Sequence, residues 1–136
     1  MQLYPKLDTY RQFKLTFGLS SHLSVVEKES FRNALTRFRV SAHCLRIESD
    51  RHLQIDRAER ICTCCNNTDI ENEYHFCLIC PLYNELRRKY IPKYYYTFPT
   101  FDKFTSLLQS NSSSVLQNLA KYIHFSMNAR TEWLQT

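Results

Sequence analysis

A chain of 136 residues with 43% apolar and 23% charged side chains has the composition of one globular domain, which excludes a disordered tail and leaves a core small enough to gain from a metal staple. Eighteen basic against 13 acidic residues give a net charge of +5, a mild positive bias that permits a nucleic-acid partner without demanding one. A single glycine, Gly18, leaves few places for the left-handed turns of tight hairpins, so the expected fold is mainly α, with residues 1–136 as one domain.

In chain order, Asp8 to Phe17 places Tyr10, Phe13 and Phe17 on one helical face, with Gly18 where a C-cap belongs. Phe31, Ala34, Leu35, Phe38, Ala42 and Leu45 then follow helical spacing, and predict an amphipathic helix from about Lys28 to about His43. After the cysteine-rich stretch, Pro81 suits a first helical turn and Leu82, Leu86 and Tyr90 continue the period, stopping before Pro92. Thr100 is placed to cap a helix carrying Phe101, Phe104, Leu107 and Leu108, which the polar run from Ser110 to Ser113 ends. Ser114 and Gln117 read as a capping box for a last helix whose stripe is Leu116, Leu119, Ala120, Ile123 and Met127.

Five of the six cysteines, Cys62, Cys64, Cys65, Cys77 and Cys80, fall within nineteen residues. The N-terminal residues contain no apolar signal core and no run reaches the roughly 18 apolar residues of a membrane span, so the expected setting is intracellular, nucleus or cytoplasm, without a membrane. Clustered thiols in a reducing compartment bind metal more often than each other. A redox use of C-x2-C needs a cysteine activated at a helix start after a strand, a context lacking here. From Cys62 the chain reads C-x2-C, nine residues, then H-x4-C. This spacing suits tetrahedral zinc held by Cys62, Cys65, His75 and Cys80, with a knuckle at 62–80. Spacing alone does not exclude an all-cysteine set in which Cys77 replaces His75. Cys64 reads as a spare thiol, Cys44 as a small buried residue and His43 as a satisfied core or hinge histidine.

Arg39, His43, Ile47, Glu48 and Arg51, followed by Glu59-Arg60-x-Cys62 and then Glu73-x-His75-Phe76-x3-Cys80-Pro81-x-Tyr83, form a combination far more specific than a zinc spacing. It resembles the C-terminal zinc-binding region of non-LTR (LINE-like) retrotransposon reverse transcriptases, over roughly Tyr10 to Arg130. The resemblance implies a C-C-H-C ligand set, Cys62, Cys65, His75 and Cys80. It also implies an accessory role in holding template RNA or target DNA beside a reverse transcriptase core. The chain departs from the family at Asp50, where a glycine is usual and a left-handed turn is expected, and at Cys77, where an apolar residue is usual.

No two aspartates are adjacent, so the aspartate pair of a polymerase is missing and the chain is expected not to be an enzyme; a polymerase core would come from another chain. Arg87, Arg88, Lys89 and Lys93 lie among Tyr90, Tyr94, Tyr95 and Tyr96, a mixture suited to neutralising phosphates and stacking unpaired bases of single-stranded RNA or target DNA. A solvated helix face over core tyrosines would read the same way. The arginines Arg32, Arg37, Arg39, Arg46, Arg51 and Arg60 suit folding more than binding, with Glu48 and Glu59 as near partners. The competing class is a zinc-stabilised protein-interaction or structural module, which a neutral apolar face in place of a continuous basic one would favour.

Overall fold

The computed structural model describes Val26 and residues 28–135; the helix expected over Asp8 to Phe17 lies outside them. The described residues are mainly helical. They form α1 (Glu29–Arg39), α2 (Arg46–His52), α3 (Asn84–Tyr90), α4 (Lys93–Thr97), α5 (Phe101–Leu108) and α6 (Ser113–Leu134), with the cysteine-rich segment between α2 and α3. Extended pairing among the described residues is confined to an antiparallel bridge between Ile61 and Ile70. None of the described helices is long and apolar enough to cross a membrane.

The amphipathic stripe of α1 buries Leu35 and Phe38 against α6, and Glu29 in its first turn and Arg37 and Arg39 in its last complement the helix dipole. The helix stops at Arg39, four residues before the expected end. Ser41 takes a left-handed φ of 60°, its N–H reaches Phe38 O, and Ala42 N–H reaches Arg37 O, which closes a Schellman cap. A serine at this position costs on the order of 1 kcal/mol in backbone strain. The buried hydrogen bond from Ser41 Oγ to Glu73 Oε2, 3.2 Å, offsets that cost.

α2 ends the same way. Ile55 N–H reaches Asp50 O, Gln54 N–H reaches Arg51 O, and Gln54 carries the left-handed φ of 59°. The turn expected at Asp50 therefore falls four residues later. Asp50 itself is helical, pairs with Arg46 one turn away and lends only its carbonyl to the cap, so the missing glycine costs nothing there.

Pro81 opens a short 3-10 turn, Pro81–Tyr83, which runs into α3, and α3 ends at Tyr90 before Pro92 as the spacing predicts. Thr100 Oγ1 accepts the Lys103 N–H at 3.1 Å and starts α5. The last helix begins two residues before the expected box: Ser112 Oγ accepts the Val115 N–H, and Gln117 bonds Ser113 Oγ instead of closing a box with Ser114. α6 buries the expected Leu116, Leu119, Ala120 and Ile123, but also Tyr122, Ser126 and Arg130. It forms the floor on which α1 and α3 pack.

Candidate metal centre

The Ile61–Ile70 bridge is secured by Cys62 N–H to Asp69 O and Glu71 N–H to Arg60 O, both 2.9 Å, and folds the chain back over residues 62–69. Thr68, at φ 58°, supplies the left-handed residue of that reversal. Within it the Cys64 N–H points at Cys62 Sγ, 3.3 Å, the amide-to-sulfur contact that presents a thiolate from a knuckle.

The other two donors come from one wide turn, His75–Ile79, closed by Cys80 N–H to His75 O at 2.8 Å. Residues five apart stand about 140° from each other around an α-helix. The i to i+5 bond widens the turn and brings His75 and Cys80 towards one side. Asn72 Oδ1 accepts the His75 N–H at 2.9 Å and sets where that turn starts.

Together these elements place Cys62 Sγ, Cys65 Sγ, a ring nitrogen of His75 and Cys80 Sγ within 4.8 Å of one another, a group that could hold a metal ion. Cys62 Sγ and Cys80 Sγ are 3.9 Å apart, and Cys65 Sγ and His75 Nε2 3.5 Å apart. Metal–ligand distances of 2.3 Å to sulfur and 2.0–2.1 Å to nitrogen give tetrahedral edges of about 3.8 Å for S···S and about 3.6 Å for S···N. The donor set fits such an ion. Cys62, His75 and Cys80 are buried and Cys65 is half-buried. The buried His75 Nδ1 has no hydrogen-bond partner, and the nearest carboxylate, Asp69 Oδ2, lies 3.5 Å away on a half-exposed side chain.

The sulfurs do not titrate alike. The hydrogen bond from Cys80 holds Cys62 down at about 3 in spite of burial, and the same bond together with burial pushes Cys80 up. Burial raises Cys65 and pushes Cys64 up to about 12. A cation at the centre favours loss of these protons, as metal binding to thiols requires.

Cys77 is not part of this group. It is wholly buried in the apolar core, where burial pushes its thiol up, and its carbonyl, not its sulfur, is engaged, accepting from Arg87. Cys64 stands beside Cys62 and Glu71, outside the four. Cys44 is exposed, not buried as its helical position suggests, because α1 ends before it; its sulfur lies 3.6 Å from Arg130 Nη1. His43 is a satisfied histidine: Nδ1 accepts the Leu45 N–H at 3.3 Å, which leaves Nε2 to carry the proton to Glu73 Oε2 at 2.6 Å.

Two arginines anchor the centre to α6. Glu71 receives Arg130 Nε and Nη2, both at 2.7 Å, and its Oε1 also accepts the Arg46 N–H. Burial works against the Arg130 charge, but the Glu71 carboxylate outweighs it and raises the guanidinium further above its ordinary range. Arg87 gathers the wide turn: Nε donates to Cys77 O at 2.8 Å, and Nη2 to Cys80 O at 2.9 Å and Phe76 O at 3.3 Å. Nη1 reaches Asn84 Oδ1, and Tyr122 on α6 joins by donating to Phe76 O at 2.6 Å.

Arg87 must therefore be removed from the basic surface. It is only 3% exposed, because the carbonyls of the wide turn and the Tyr122 hydroxyl on α6 take up its donors. Arg88, Lys89, Lys93 and Tyr94 are exposed, while Tyr95 is half-buried and packs on the core. Of the second arginine set, Arg39 and Arg60 are buried; Arg60 bonds the carbonyls of Ile47 and Ile55, and Arg51 bonds Glu48, so these three serve the fold. Glu71, Arg130 and Tyr122 carry no spacing signal, and only their shared burial reveals them. No known family model, no curated protein and no solved structure matches the chain.

Proposed function

We propose that the chain is a non-catalytic module organised by one structural zinc ion on Cys62, Cys65, His75 and Cys80, and that it assists RNA or DNA binding beside a reverse transcriptase core on another chain, as a piece of retrotransposon origin. The observation that carries the zinc reading is the four-donor group with its 3.9 Å and 3.5 Å edges, reached without Cys77. Bound there, zinc supplies a cross-link between the hairpin and the wide turn. Four protein donors fill a tetrahedron and leave no position for substrate, which supports a structural role over a catalytic one. The nucleic-acid reading is supported by Arg88, Lys89 and Lys93 in solvent beside the 63%-exposed Tyr94.

A second reading, docking on another protein, draws on Phe98, 77% exposed, and on the burial of Arg87, which interrupts the basic run. One set of measurements tests both. Metal content of the purified chain should be one zinc, lost in His75→Ala and kept in Cys77→Ala. Binding of single-stranded RNA and duplex DNA across a salt series should then show the negative salt dependence of phosphate contacts. Absence of zinc, or its loss in Cys77→Ala alone, overturns the ligand set; absence of any nucleic-acid binding at low salt moves the function to the protein partner.

A further inference from the structure

Three helices far apart in sequence bring their aromatic side chains into one row on the face of the domain formed by α1, α3 and α6. Phe125 on α6 stacks on Tyr90 of α3, with centroids 6.0 Å apart and planes 18° from parallel. Phe31 of α1 meets Phe125 edge-on at 5.7 Å, and His124 stands at 81° to Phe125 and 5.1 Å from it. The row has an ammonium at each end: Lys28 Nζ lies 4.9 Å from the Phe31 centroid and Lys89 Nζ lies 5.2 Å from the Tyr90 centroid. Lys121 sits one turn before Phe125 on α6. Glu29 and Glu85 are the acidic side chains on the neighbouring turns of α1 and α3.

Phe125 is 37% exposed, Phe31, Tyr90 and His124 are half-buried, and Phe31 and Tyr90 pack on the core; the exposed Lys28 and Lys89 cover the outer faces of Phe31 and Tyr90, which a base takes by turning those ammonium groups onto its phosphates. Rings fixed in this way give up little freedom when a flat partner covers them, and a partner that also wants cations every few ångströms is a phosphate chain. Stacked bases in a duplex offer no free face to such rings. An unpaired strand does.

We propose that the Phe31–Phe125–Tyr90 row, flanked by Lys28 and Lys89, is a stacking platform for single-stranded nucleic acid. It rests on the nucleic-acid reading above and assigns that reading a strand type and a surface. Lys89 links it to the exposed run at Arg88 and Lys93, so a strand leaving the row continues along those cations.

The test uses the zinc-loaded full chain and a fluorescent uridine-rich single-stranded RNA, with a duplex DNA of equal length as control, followed by anisotropy across salt. Phe125→Leu and Tyr90→Leu keep apolar bulk in the packing but remove the ring face. Each should weaken single-strand binding by about 5- to 150-fold at every salt concentration, the range a lost stacked base corresponds to, and leave duplex binding nearly unchanged. Lys28→Gln with Lys89→Gln, both on solvent-facing side chains, should flatten the salt slope on RNA by about 1.4, at roughly 0.7 per contact, with no change in zinc content or melting. Wild-type binding that persists in all of these variants overturns the platform while leaving nucleic-acid binding in place. Equal losses on RNA and duplex also overturn it, since no base face is then being read. A wild-type chain that binds neither probe overturns the platform together with the reading on which it rests.

Discussion

The Cys62–Cys65 half of the centre reaches α6 through a carboxylate and a guanidinium, Glu71 and Arg130, whereas the His75–Cys80 half reaches it through Arg87 and Tyr122 bound to main-chain carbonyls. Both ties are buried and both use a planar fork of donors. They differ in what is left behind when the arginine is lost. Removing Arg130 strands a charge that a second substitution can neutralise; removing Arg87 strands the main-chain carbonyl of Cys77, which no companion change at that position can neutralise.

The largest expected effect comes from removing the proposed zinc ion, which would join the two halves. Chelation should unfold the described helices cooperatively, since structural zinc contributes roughly 10–16 kcal/mol in small peptides, as much as the whole stability of a domain. Circular dichroism and hydrogen exchange check this. Retention of protection in the wide turn alone, with the hairpin exchanging freely, would show that the Arg87 tie suffices without metal and would break the equivalence of the two halves.

Next, Arg130→Gln should cost about 3–5 kcal/mol in denaturant unfolding, because Glu71 is left as an uncompensated buried charge. Adding Glu71→Gln should recover more than about 1 kcal/mol of that loss, since the stranded group is then neutral. A double variant no better than the single one would place the value of the pair in packing instead of charge.

Arg87→Met should cost about 1–3 kcal/mol, chiefly from the Cys77 carbonyl left without its donor, since Phe76 O keeps the Tyr122 hydroxyl and Cys80 O keeps the Tyr83 N–H. It should also weaken zinc retention, because the same carbonyls set the wide turn that carries His75 and Cys80. The neighbouring Arg88→Gln, on an exposed side chain, should stay within about 0.5 kcal/mol of wild type. Equal behaviour of the two variants would contradict the division of this basic run into one structural and one solvent-facing arginine.

The smallest effect concerns Glu48, on the Arg46–His52 helix that leads into the hairpin. Burial raises its carboxyl above its ordinary value of 4.5, opposed by the hydrogen bond and charge of Arg51 and aided by Glu73. A raised folded value means the native state binds this proton more tightly than the unfolded chain does. The group therefore supports the fold below about pH 4.5 and loses that support as pH rises through the folded value. Glu48→Gln, which keeps an acceptor for Arg51, should raise the melting temperature at pH 7 and lose its advantage as pH falls towards 4.5. An advantage independent of pH would mean that desolvation of the carboxylate is not its source.

The helical periods of α1, α3, α5 and the front of α6 were legible because apolar side chains recur on one face of each, and proline and threonine mark starts that the structure uses, at Pro81 and Thr100. Helix ends were less legible. Ser41 and Gln54 close α1 and α2 in left-handed conformations usual for glycine, so the apolar period alone carries α1 on to His43 and the family pattern alone puts the turn at Asp50. A scarcity of glycine does not forbid such turns when tertiary contacts, here Ser41 to Glu73, offset the strain.

The spacing of Cys62, Cys65, His75 and Cys80 determined by itself that four side chains able to bind a metal lie close along the chain, because ligand chemistry and turn geometry are local. The choice of His75 over Cys77 at the centre was decided by the tertiary structure, since the wide turn directs the histidine to the sulfurs and sends Cys77 into the core. Whether an arginine faces solvent or gathers carbonyls, as Arg88 and Arg87 do one residue apart, depends on which side of a helix meets another helix. The row of Phe31, Tyr90 and Phe125 depends on the same thing, since it exists only once α1 and α3 have packed on α6. Burial of polar groups is a property of the assembled fold, and a linear pattern carries it only where the partner is a neighbour in sequence.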